Sequence, residues 1–464
     1  MLFIQSNSLA LSLDEGGRLR LLEALAARGF EPLVRSARRE VFRALGGEAS
    51  AAELERLCAA RAGASGKGAY TPGELFAGGD CLLSLVFEAE GETAAGVVYD
   101  LDTAAPLARL ERFCRDVQDA LGSMRAEENV AVQSSESQAV LPLWRPRSRT
   151  AQQGLARFTA IQPEEFVRAA AALRGGKELA RASELLEGHA VRDFLKRIEE
   201  LRREGYTPRR MLAEAGAQGG VSVERLVEAG LLEREIRVSC RKHGHALFDL
   251  PSPDSLAAVT ISRAKCSLCA APVADEVVEE TFSPSRLAVA LLADGGWLAH
   301  RVYRIVRSLG VPESDISTGP PTPHGESFLA ADVSGSSFIF VSRDGDLTPA
   351  FARRAAEIVE ETEATHLVAV VTGAAEDEGR LRLYEFAWRR ARGGHDLDTT
   401  VVEGLDRARG EFERAFARAA RRELSRALFP LDAALGFPAA AFALEWFRVT
   451  KSNAGRDSLS KLSA

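Results

Sequence analysis

Cys240 and His243 stand three apart, and 22 residues later Cys266 and Cys269 stand three apart again. A chain carrying this pattern must bring two distant turns to one point. A tight turn aims both of its side chains at a single ion, and two such turns complete a tetrahedron of soft and borderline ligands. The spacing therefore predicts zinc held by Cys240, His243, Cys266 and Cys269. Gly244 follows the second ligand, where the turn needs a permissive backbone. His245, two residues beyond His243, is the alternative ligand. Four protein ligands leave no position for water, so the metal is expected to hold structure rather than to catalyse. The competing reading is a set of buried thiols beside surface histidines, which requires the paired spacing to be coincidence.

The remaining composition bounds the rest. A chain of 464 residues is too long for one ordinary core. Apolar residues make up 46% and charged residues 27%, a globular balance. The net charge of −7 argues against a protein that coats nucleic acid through a broad positive field. Residues 189–245 carry twelve Lys/Arg against nine Asp/Glu, which leaves a local nucleic-acid contact open without indicating one. Cys58, Cys81 and Cys114 are scattered in apolar surroundings and read as buried thiols, not a disulfide framework. That pattern, with no basic region beside Met1-Leu2-Phe3-Ile4, is the basis for expecting a cytoplasmic protein. The apolar stretch 433–447 contains Pro438 and Glu445 and falls short of the roughly 20 residues of a membrane span, so no membrane partner is expected.

Along the chain we expect an α+β multidomain protein. Residues 1–135 read as an N-terminal α/β domain, with helices at 19–27, 51–62 and 107–121 and strands at 82–89 and 96–101. Residues 136–154 are polar, contain Pro142, Pro146, Arg145, Arg147 and Arg149, and read as a linker. Residues 155–235 are helical, at 164–173, 179–186, 190–204, 209–215 and 222–229, with Ser222 placed to cap the last. Two short helices about the Gly-rich turn 216–220, then a strand-like 235–239, resemble a winged helix-turn-helix; a helical connector is the alternative. Residues 236–282 form the metal unit, 284–390 alternate helix and strand, and 391–464 read as a helical extension.

The metal unit resembles the zinc ribbons of DNA-handling and transcription-related proteins: strand, knuckle, hairpin, knuckle, strand. Residues 285–372 resemble a restriction-endonuclease-like domain of the PD-(D/E)XK type. The order is a long helix 286–309, a strand 328–333, a hairpin at 334–336, a strand 337–342, a helix 348–361 and a buried strand 366–371. The resemblance implies acids that hold magnesium and a lysine that orients the attacking water. The matching positions are Glu326, Asp332 and the triplet Val341-Ser342-Arg343. Val341 cannot bind a hard cation, and Arg343 cannot act as a base near neutral pH. Asp344 and Asp346 are the candidate substitutes. The domain is therefore expected to be inactive and kept for binding or assembly.

Two other motifs resemble catalytic signatures. The run Val97-Val98-Tyr99-Asp100-Leu101-Asp102 resembles the nucleophile motif of haloacid-dehalogenase-type phosphatases, but lacks its following Gly-Thr; strand-end acids as turn and cap formers are the alternative. Gly63-Ala-Ser-Gly66-Lys67-Gly68 misses phosphate-loop spacing and reads as a loop. The leading expectation is a non-catalytic regulatory or scaffold protein that binds a protein partner, nucleic acid or both, with a DNA-transaction or phage-defence setting by fold analogy. A magnesium-dependent nuclease and a small-molecule sensor built on the N-terminal domain are the alternatives.

Overall fold

A computed structural model describes residues 2–65, 71–88, 91–131, 143–146, 176–204, 221–251, 253–261, 264–293, 295–319, 326–435 and 438–448. These residues mix helices with three sheets, the α+β class read from the sequence. They divide into two compact units: 1–153 with 332–337 and 412–464, and 154–331 with 338–411. No described helix is long and apolar enough to cross a membrane.

In the first unit, β1 (Leu2–Ala10), β2 (Gly73–Ala77), β3 (Leu82–Phe87), β4 (Glu92–Asp100) and β5 (Arg145–Pro146) form a sheet in the order β2-β3-β4-β1-β5. The helices α1 (Glu15–Ala27), α2 (Leu33–Ser65, broken at Gly47) and α3 (Pro106–Ala131) accompany it. Side chains alternate across a strand, and here both faces are apolar. Phe76, Leu83, Leu85 and Val97 pack with Leu21 and Leu25 of α1 and Phe113 and Val117 of α3. Leu75, Leu82, Val86 and Val98 point the other way, onto Leu424, Leu428, Leu431 and Phe447. Burial on both faces is why β3 reads as an almost unbroken apolar run. The second cover comes from residues beyond 411, which belong to this unit and not to a C-terminal extension of the α/β domain as expected. The expected linker is also partly structured. Arg145 and Pro146 pair with β1, and Trp144 Nε1 donates to Cys114 O at 2.9 Å.

The second unit begins with α4 (Lys177–Leu185), α5 (His189–Arg203) and α6 (Val223–Glu228). Ser222 caps α6, its Oγ accepting from Arg225 N at 3.3 Å. The helices expected at 164–173 and 209–215 and the turn 216–220 lie outside the described residues. β6 (Leu232–Ser239), β7 (Ala246–Leu250) and β8 (Val277–Pro284) form an antiparallel sheet in the order β7-β6-β8. α7 (Pro253–Ile261) stands between β7 and β8, where the ribbon pattern predicts only a hairpin.

α8 (Arg286–Ala293) and α9 (Gly296–Ser308) replace the single long helix expected there; Gly295, with φ 62°, separates them. β9 (Ile316–Thr318), β10 (Glu326–Val333), β11 (Ser336–Arg343), β12 (His366–Val371) and β13 (Asp398–Glu403) make the third sheet, in the order β13-β12-β11-β10-β9. Ser334 (φ 55°) and Gly335 (φ 84°) turn β10 into β11; a two-residue loop with both central φ values positive matches the strand twist. α10 (Pro349–Thr362) and α11 (Asp377–Arg392) cross between the parallel strands β11, β12 and β13. β13 carries this domain past the boundary expected at 390, because its backbone pairs with β12 from His366↔Asp398 to Val371↔Glu403. α12 (Leu405–Leu435) and α13 (439–448) follow.

Candidate metal centre

β6 ends at Ser239 and hands the chain to Cys240; β8 begins at Val277, shortly after Cys269. The two intervening turns share one hydrogen-bond pattern. Gly244 N donates to Cys240 O at 2.7 Å, and Ala270 N donates to Cys266 O at 2.9 Å. Cys240 N donates to His245 O, and Cys266 N donates to Ala271 O, both at 2.9 Å. The residue closing each turn is left-handed, with φ 71° at Gly244 and 58° at Ala270. In this pairing His243 occupies the position of Cys269, and His245 that of Ala271.

The turns bring Cys240, His243, His245, Cys266 and Cys269 into a cluster that could hold a metal ion. Cys240 Sγ lies 3.6 Å from Cys269 Sγ and 3.5 Å from His243 Nδ1; Cys266 Sγ lies 3.7 Å from His245 Nε2. A tetrahedral zinc with bonds near 2.3 Å to sulfur sets sulfur–sulfur edges of about 3.8 Å, close to these separations. The side chains fall into two overlapping groups, each with its ligand atoms within 4.8 Å of one another: Cys240, His243, His245 and Cys266, and Cys240, Cys266, Cys269 and Glu276. Cys240 and Cys266 belong to both. Glu276 is the member that sequence spacing missed, since an acid seven residues past the last cysteine carries no ligand signature. Its Oε2 accepts from Arg241 N, while its buried Oε1 and the buried Nδ1 of His245 have no hydrogen-bond partner.

Two electrostatic effects meet at the thiols. Burial pushes Cys240 up to about 11, against the amides of His243 and Lys242. Burial acts in the same direction on Cys266, but the amides of Cys269 and Leu268 and the neighbouring thiols outweigh it and lower its pKa. Amides aimed at sulfur favour thiolate, the form a metal binds. The apolar core of this unit is small: Val238, Leu250 and Val273 are its buried members. At the knuckle end the sheet has few buried apolar side chains, where a bound ion would add stability, while Leu232 of β6 and Phe282 of β8 join the larger core at its other end.

The nuclease-like candidates are not gathered in this way. Glu326 is fully buried at the start of β10, paired with Arg354 of α10, whose Nε donates at 2.6 Å. Asp332 closes the same strand six residues on, about 20 Å away at strand rise, and its Oδ1 accepts from Gly335 N at 2.9 Å. Arg343 donates to Thr348 Oγ1 at 2.9 Å and lies over the Phe351 ring. Asp344 accepts from Thr372 Oγ1 at 2.7 Å and faces Arg192 Nε at 3.3 Å; Asp346 accepts from Ala374 N at 2.7 Å. Among the described residues, the groups able to hold a metal are those at the two knuckles.

Asp100 Oδ1 accepts from Asp102 N at 3.0 Å and from Thr103 Oγ1 at 3.2 Å, the arrangement of an acid that forms a turn. Of the Gly63–Gly68 segment, residues to Ser65 continue α2 and 66–68 lie outside the described residues. Compared with known proteins, the chain matches no family profile, no curated protein and no solved structure.

Proposed function

We propose that this chain is a non-catalytic regulatory or scaffold protein of the cytoplasm whose middle is a zinc ribbon. Zinc would be held by Cys240, Cys266, Cys269 and His243, with His245 the alternative fourth ligand. The observation that carries this reading is the gathering of three thiols and two imidazoles at the knuckles, with Cys240 and Cys266 common to the group that holds His243 and to the group that holds Cys269. Equivalence with Cys269 in the paired knuckles favours His243. In the same reading the α/β domain is restriction-endonuclease-like and serves binding, because Glu326, Asp344 and Asp346 are each engaged by protein donors. The expected partner is a protein.

The test has two arms. Elemental analysis of purified chain is expected to give one zinc per molecule, lost from Cys240→Ser and Cys266→Ser. Plasmid and RNA incubated with magnesium or manganese are expected to stay intact. Cleavage abolished by Asp332→Ala would establish the magnesium-dependent nuclease instead, and salt-dependent binding without cleavage would make nucleic acid the partner.

A second reading, a small-molecule sensor in the N-terminal unit, is favoured by one observation. A cavity of about 220 Å³ is lined by Leu2, Ile4, Val98, Ala420 and Leu424, with Arg421 beside them. It is smaller than the roughly 300–1,000 Å³ of ordinary ligand pockets, so it suits only a small molecule with an apolar body and an anionic head beside Arg421. Thermal shift in the presence of short-chain carboxylates tests it, with Arg421→Ala abolishing any shift.

A further inference from the structure

α11 leaves a row of large apolar side chains in water. Leu381, Tyr384 and Trp388 are 56%, 50% and 61% exposed, while Leu383 and Phe386 on its other side are buried in the core. The spacing of three and then four residues puts the exposed three on one helical face. Single exposed apolar residues need no explanation, but a contiguous stripe on one face marks an interaction surface. Tryptophan, tyrosine and arginine dominate interface energetics, and here the Arg392 guanidinium lies 4.8 Å from the Trp388 ring centre. Charge is arranged along the same helix. Asp377 and Glu378 occupy its first turn, and Arg389 and Arg392 its last. Arg390, also in the last turn, is turned inward to Val359 O.

With acids in its first turn, arginines in its last and the apolar stripe between them on one face, α11 is complementary to itself run antiparallel; Arg380 and Arg382, between the ends, pair with Glu403 and Glu378. We infer that α11 is the contact by which two copies of this chain associate about a two-fold axis. In that register Leu381 meets Trp388 of the second copy, Tyr384 lies beside the axis, and Asp377 faces Arg392 at each end. A 16-residue helix is about 24 Å long, so the seam is short and belongs with small, transient interfaces. The association should therefore depend on concentration. One group opposes it: Glu385, next to the midpoint, would face its own copy, with Arg382 and Arg389 on either side to offset the repulsion.

Sedimentation equilibrium of the intact chain over the micromolar range tests this inference. A reversible monomer–dimer equilibrium is expected. Trp388→Glu should weaken it by more than about tenfold, as hot-spot losses do. Asp377→Arg and Arg392→Asp should each weaken it, and the double variant should recover most of the loss. Glu385→Gln should tighten it, which no structural role of that exposed residue would produce. Because Trp388 is 61% exposed, its replacement leaves the core intact, and an unchanged melting curve verifies that. A monomer at every concentration, or a dimer indifferent to Trp388→Glu, would overturn the inference. The first result would leave the stripe to a different protein, and the second would place the dimer contact elsewhere. Loss of zinc bears on the proposed function alone, since none of these residues belongs to the knuckles.

Discussion

At the scale of single residues, the thiols and Glu74 carry the sharpest expectations. If the knuckles hold zinc, Cys240→Ser or Cys266→Ser removes a ligand that both metal-capable groups share. Apparent binding energies of structural zinc are on the order of 10 kcal/mol, as large as the contribution of the three buried apolar side chains at about 1.5–3 kcal/mol each. Chelation, or either substitution, should therefore abolish amide-exchange protection across 236–282. His243→Ala should cost more zinc affinity than His245→Ala, and the reverse order would transfer the ligand role. Glu74 illustrates a different use of burial. Its carboxylate, on β2, accepts from the amides of Val34 and Arg35 at the start of α2 and from Leu75 N. Burial nevertheless pushes its pKa from 4.5 up to about 7, against the pull of those amides and of Arg38. The folded chain then holds this proton more tightly than the unfolded chain does. Its contribution is full below the unfolded value and lost as pH rises to about 7, an effect of up to about 3 kcal/mol. Denaturant titrations across that window should show stability falling with pH, and Glu74→Gln should flatten the slope.

At the scale of elements, two devices hold the second unit. Arg192 of α5 is buried, donates to Leu186 O and Glu187 O past the end of α4, and stacks on Trp297 of α9 at 4.6 Å. Its Nε reaches Asp344, just beyond β11. One guanidinium thus links three helices to a strand end. Arg192→Met keeps the volume but strands two carbonyls and a carboxylate, and should cost about 3–5 kcal/mol in chemical denaturation. The knuckles are the second device. Ala270 holds the left-handed position that Gly244 fills in the other turn, at a cost of roughly 1–2 kcal/mol for a residue with a side chain. Ala270→Gly relieves that strain, partly offset by greater freedom of the unfolded chain, so melting temperature should rise slightly. Gly244→Ala should lower it.

At the scale of the molecule, the first unit is assembled from both ends of the chain. Leu424, Leu428, Leu431 and Phe447 cover the face of the sheet that presents Leu75, Leu82, Val86 and Val98. Burying a large apolar side chain is worth about 1.5–3 kcal/mol, so losing these four removes roughly 6–12 kcal/mol. A typical domain has only about 5–15 kcal/mol in total. A chain ended after Glu411 should therefore leave the N-terminal unit unfolded or aggregated, and soluble expression with retained near-UV dichroism would refute that. Residues 391–464, expected as a helical extension, are divided between the two units. Their first part is strand β13 and their later part is the missing cover of the other unit.

What could be read directly from the residues was whatever close neighbours along the chain decide. Paired spacing at Cys240, His243, Cys266 and Cys269 announced the cluster, Ser222 announced a helix start, and the apolar run of β3 announced a buried strand. Each reflects turn geometry, capping or alternation, which act over a few residues. The tertiary structure decided everything that depends on distant partners. Glu326 is tied to Arg354, 28 positions away, and Glu276 joins the thiols from outside any ligand motif. The unread face of the first sheet is covered by helices more than 300 residues downstream. An apolar strand shows that both its faces must be buried, but any apolar surface satisfies that demand, because hydrophobic burial has no direction and leaves no mark on the sequence of what supplies it.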